Sequence, residues 1–112
     1  DPDNWILKEI EYVSMGGIIP IKPEIIIYPA YPNPFNAETS MQYFIPEQLG
    51  AITPLISIFD VRGHEIEKHQ VGLLNPGMHE FKWNAETRSS GMYFIQLSFE
   101  KTSFSQKVQL LK

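Results

Sequence analysis

Tyr31-Pro32-Asn33-Pro34-Phe35-Asn36 is the stretch on which the reading of this chain turns. Prolines at 32 and 34 each fix φ near −65° and push the preceding residue toward extended geometry, which excludes helix. The segment reads as a rigid extended entry into a sheet, in which Asn33 and Asn36 can bond their own backbone. Two further blocks stand in register with it downstream: Gly91-Met92-Tyr93-Phe94 and Lys107-Val108-Gln109-Leu110-Leu111-Lys112.

Around these blocks, short apolar runs alternate with turn signals at sandwich-like spacing, and no stretch holds a 3.6-residue period. Strands are expected over residues 25–28, 39–45, 55–61, 65–71, 78–83, 92–99 and 104–111. The fold class is therefore all-β, an immunoglobulin-like antiparallel β-sandwich of about seven strands. Asp60-Val61-Arg62-Gly63 has the Asp and Gly of a type I turn, and Asn75-Pro76-Gly77 offers Pro then Gly for a type II turn, each joining neighbouring strands. Thr87 to Gly91 forms a small-residue corner leading to Tyr93, whose hydroxyl is placed to lock it. Alternation assigns a core of Met41, Tyr43, Ile45, Ile56, Ile58, Phe81, Trp83, Tyr93, Ile95, Leu97, Val108 and Leu110, with Phe99 on the same side as Tyr93. Met92 and Phe94 fall on the outward side.

Composition narrows function. A net charge of −4 leaves no basic stripe for nucleic acid. The absence of cysteine removes disulfides, thiolate zinc sites and cysteine nucleophiles together. No apolar run approaches the roughly 20 residues that a membrane-spanning helix needs. Asp1-Pro2-Asp3-Asn4 is neither basic nor apolar, so an export signal is expected upstream of this sequence. Residues 1–24 read as the end strand of a preceding domain, around Trp5 to Val13, and then a linker. Ile18, Ile19 and Ile21 are apolar for a linker and call for a packing surface. Residues 25–112 form the domain proper.

Candidate chemistry is thin. His64, His69 and His79 lack the short spacing of a zinc site, and the carboxylates near them read as solvent-facing strand residues. Asp60, Asn33, Asn36 and Glu38 could offer oxygens to calcium, yet turn formation already accounts for them. Ser89 and Ser90 lack the strand-to-helix elbow of a nucleophile. No catalytic, cofactor-binding or metal residue is assigned, and the piece reads as non-enzymatic.

The Tyr31–Asn36 block, Thr39 through Pro46, Phe59-Asp60-Val61-Arg62-Gly63, Gly77 to Trp83, Ser90-Gly91-Met92-Tyr93 and the closing Lys112, in that order and spacing, resemble the C-terminal sorting domain of the bacterial type IX (Por) secretion system. Pro32, Asn33, Pro34, Phe35, Asn36, Asp60, Gly63, Gly77 and Trp83 carry its structural motifs. The related immunoglobulin-like domain of hook-capping proteins is internal to its chain, whereas here the closing strand runs to Lys112. Two positions depart from the family pattern: Arg88 replaces a usual apolar residue, and Gln109 interrupts an apolar run.

The resemblance implies an export address read by an outer-membrane translocon, with a processing protease and a preceding cargo domain as further partners. The route would pass through the periplasm to the cell surface or the medium. It also implies that Gly91, Met92, Tyr93, Lys107, Val108, Leu110, Leu111 and Lys112 serve in recognition. More weakly, residues 1–8 resemble the closing strand of a sandwich domain in secreted zinc aminopeptidases. The alternative function is a spacer or carbohydrate-binding module of a secreted hydrolase, for which Tyr28, Tyr31 and Phe35 would supply the exposed aromatic row.

Overall fold

The computed structural model describes residues 23–112. The expected end strand and linker therefore lie, apart from their last two residues, outside the described residues.

Two-residue alternation governs the strands. In β2 (Glu38–Ile45) Thr39, Met41, Tyr43 and Ile45 are buried while Glu38 and Gln42 face solvent. The other strands are β1 (Ile26–Ile27), β3 (Leu55–Asp60), β4 (Glu65–Gln70), β5 (Gly77–Asn84), β6 (Gly91–Phe99) and β7 (Thr102–Leu110). A single 3-10 turn, Glu47–Leu49, interrupts the crossing from β2 to β3. The seven strands are antiparallel and form a three-stranded sheet, β1-β2-β5, and a four-stranded sheet, β4-β3-β6-β7. The fold is the all-β sandwich expected.

Every expected core residue is buried between these sheets, and Phe35, Ala85, Ile25, Ala30 and Ile52 join them. Phe99 packs half-buried at the margin. Burial of a large apolar side chain is worth about 1.5–3 kcal/mol, so this layer is what holds the two sheets together. Trp83 is its centre, with the rings of Phe35 and Tyr93 at 5.6 and 5.2 Å.

The turns divide. Between β3 and β4, Gly63 at φ 84° donates its N–H to the Asp60 carbonyl, while Asp60 Oδ1 accepts from the N–H groups of Arg62 and His64. Those donors, with desolvation opposing, hold the Asp60 carboxyl below its ordinary value. Asn75-Pro76-Gly77 departs from expectation. It joins β4 to β5, which lie in different sheets, so it is a crossing between layers and closes no hairpin. Gly77 sits at φ 129° and not near the +80° of a type II turn, and the Asn75 carbonyl pairs with His79 Nε2 at 2.6 Å. β7 begins two residues before the expected 104, because Phe99 pairs with Thr102 across a tight hairpin whose Glu100 has φ 56°.

Candidate functional site

The three sequence blocks meet at one place. Gly91, Met92, Tyr93 and Phe94 at the start of β6 pair with Leu110, Gln109, Val108 and Lys107 of β7. The Tyr31–Asn36 segment closes the other side of β7, and this was not expected of it. It is a folded loop, not a strand entry. Tyr31 exchanges both backbone bonds with Ser40 of β2, and the buried Thr39 hydroxyl donates to the Pro32 carbonyl at 2.7 Å. From there the loop crosses to the opposite sheet.

Asn33 makes that crossing hold. Its Nδ2 donates to the Lys107 carbonyl at 3.0 Å, and its Oδ1 accepts the Gln109 N–H at 2.9 Å. One side-chain amide thus supplies a donor and an acceptor to β7, as a neighbouring strand would. Phe35 continues the pairing in parallel: its N–H donates to the Gln109 carbonyl, and its carbonyl accepts the Leu111 N–H. Its ring is 2% exposed, which removes it from the aromatic row considered for a carbohydrate-binding face. The outer edge of β7 between Lys107 and Leu111 is therefore occupied from within the chain, and the outer edge of a terminal strand is otherwise a template for another chain.

A corner formed by Ala85 to Ser90 supports the same end. The Tyr93 hydroxyl donates to the Ser89 carbonyl at 2.6 Å, as the sequence led us to expect. The Lys112 N–H donates to Ser90 Oγ at 3.0 Å, and its ammonium donates to the Glu86 carbonyl. Arg88 anchors the corner from below: Nε donates to Glu67 Oε2 at 3.0 Å and a terminal nitrogen donates to the Ile66 carbonyl. Trp83 Nε1 donates to the same carboxylate at 3.0 Å, and His69 Nε2 lies 2.8 Å from Oε1.

Glu67 corrects the reading of the carboxylates near the histidines as solvent-facing. A bulge between Ile58 and Phe59 shifts the β3–β4 register and turns Glu67 inward. Desolvation raises its pKa, but donors from Trp83, His69 and Arg88, with the Arg88 charge, outweigh that and leave it lowered. Arg88 thus has a charge partner at the buried edge.

The sequence-assigned recognition residues divide by burial. Tyr93, Val108 and Leu110 are core, and Gly91 opens β6 opposite Leu110. Met92 is half-buried on the outer sheet face, while Lys107, Leu111 and Lys112 are exposed, Leu111 to 51%. The three histidines point to three different neighbours: Asp60, Glu67 and the Asn75 carbonyl. Asp60 and Asn33, considered together for calcium, each use Oδ1 on separate backbone amides, and Asp60 Oδ2 faces His64 Nδ1 at 3.6 Å. Among the described residues no three His, Asp or Glu side chains gather as a metal site would require.

The closing strand of this sandwich is thus latched by an upstream loop, and the polar groups around it brace one end. The family model described as the secretion system C-terminal sorting domain matches residues 29–110, and the chain belongs to that family, the sorting tails of type IX secretion. No curated protein matches the chain. Sorting domains of this kind are non-catalytic, and among the described residues no helix is long and apolar enough to cross a membrane.

Proposed function

We propose that residues 25–112 are read in folded form by the outer-membrane translocon of type IX secretion, and that residues 1–24 connect them to a preceding exported domain. The observation that carries this reading is the convergence of the Tyr31–Asn36, Gly91–Phe94 and Lys107–Lys112 blocks on a single end of the sandwich. The translocon meets the accessible part of that end: the half-buried Met92 with the exposed Lys107, Leu111 and Lys112. Tyr93, Val108 and Leu110 serve by packing beneath it. A processing protease acts in the connecting segment, and the attached domain passes from the periplasm to the cell surface or beyond.

The test is delivery of a reporter. The full 112-residue chain, fused behind a periplasmic reporter in a bacterium that possesses type IX secretion, should bring the reporter to the surface. The same fusion ending before Thr102 should leave it in the periplasm, because β7 is missing. Equal delivery by both would refute the assignment.

A further inference from the structure

The sandwich has four lateral strand edges, and on three of them the chain itself shortens the edge or takes up part of it. β7 carries the Asn33–Phe35 latch. β1 is two residues long, and the Ile66 carbonyl on β4 is taken by Arg88. The fourth, β5, is eight residues long.

The hydrogen-bond phase of β5 is fixed by one contact: Ala85 N–H donates to the Ala37 carbonyl at 2.8 Å, just beyond the Glu38–Asn84 pair. Bonded and non-bonded pairs alternate along an antiparallel ladder. Gly77, His79, Phe81 and Trp83 therefore turn their backbone groups toward β2, and Met78, Glu80, Lys82 and Asn84 turn theirs outward. Among the described residues, none of these outward backbone groups has a partner.

We propose that this edge pairs with the β5 edge of a second copy of the chain, antiparallel about a two-fold axis at Phe81. That register sets Met78 opposite Asn84 and Glu80 opposite Lys82 of the second copy, and the reverse pairs follow by symmetry. The four residues whose backbone groups point outward are thus the four that would form bonded pairs. The charges select the register. Sliding the second copy by two residues in either direction sets Glu80 on Glu80 or Lys82 on Lys82, which cross-strand neighbours disfavour. A slip of one residue breaks the hydrogen-bond phase. The two three-stranded sheets then become one six-stranded sheet, and the pairing leaves the proposed sorting surface free. β5 lies over β4, as the Trp83–Glu67 and His69–Phe81 contacts show, while β7 is at the opposite side of its sheet.

Sedimentation velocity on the full chain, from about 1 µM to about 0.5 mM, reads the association directly. A concentration-dependent dimer is expected. Glu80→Lys turns both charge pairs repulsive and should weaken it at least about tenfold, while the swap Glu80→Lys with Lys82→Glu should restore it. Both positions are exposed, and circular dichroism checks that the variants stay folded. In the dimer the Glu80 and Lys82 amides should exchange more slowly as concentration rises. A monomer over the whole range, a dimer indifferent to Glu80→Lys, or a charge swap that fails to recover would each overturn the proposal.

Discussion

Asn33 does at long range what an asparagine beside a proline ordinarily does for its own turn. Its two bonds span 74 and 76 residues of sequence and tie the loop to β7. Each is worth about 0.5–1.5 kcal/mol, so Asn33→Ala should lower stability by about 1–2 kcal/mol, read by chemical denaturation. The Gln109 amide should lose protection at the same time, and unchanged exchange there would remove the latch from the account. Glu67 gives a second residue-scale prediction. Its folded pKa lies below the ordinary 4.5, so its contribution is fully present above the unfolded value and is lost as pH falls through the folded one. Glu67→Gln should therefore flatten the acid limb of a stability–pH curve, and an unaltered limb would show that the carboxylate is not held as described. Neither residue's role was legible in the sequence, for a shared reason. A polar side chain's partner across the fold leaves no local pattern, and the bulge that turns Glu67 inward is invisible to strict alternation.

At the scale of elements, alternation carried most of the information. The β2, β5 and β6 faces, read as Met41-Tyr43-Ile45, Phe81-Trp83 and Tyr93-Ile95-Leu97, are the buried faces. Tyr93 is legible at its corner from the Thr87–Gly91 turn before it and from the way sandwiches lock such a corner with a tyrosine hydroxyl. What local chemistry failed to mark is the β6–β7 hairpin, since Glu100 adopts φ 56° with neither Gly nor Asn to announce it. A long side chain without a local hydrogen bond is strained there, whereas asparagine tolerates the left-handed region, so Glu100→Asn should stabilise by about 0.5–1 kcal/mol, measured as a raised denaturation midpoint. Loss of stability would mean that the Glu100 side chain makes up for its backbone. The crossing at Asn75-Pro76-Gly77 was misread because a Pro-Gly pair signals a change of direction and says nothing about which sheet the next strand joins. Tyr93→Phe should cost about 1 kcal/mol by deleting the bond to the Ser89 carbonyl while keeping the ring against Trp83.

For the molecule as a whole, residues 23–112 contain both sheets and the buried layer between them, so they should unfold in one cooperative thermal transition without the preceding residues. A broad, non-cooperative melt of that piece would assign part of the core to residues 1–22. The same separation of scaffold from signal decides function. Lys107 and Leu111 are exposed beside the latched edge, so Lys107→Ala with Leu111→Ser should leave stability within about 0.5 kcal/mol of the parent. The most direct test of the central claim is the fraction of a fused reporter that this double variant delivers to the cell surface through type IX secretion. A fall of several-fold at an essentially unchanged melting temperature is expected; delivery equal to that of the parent chain would mean that Lys107 and Leu111 take no part in sorting.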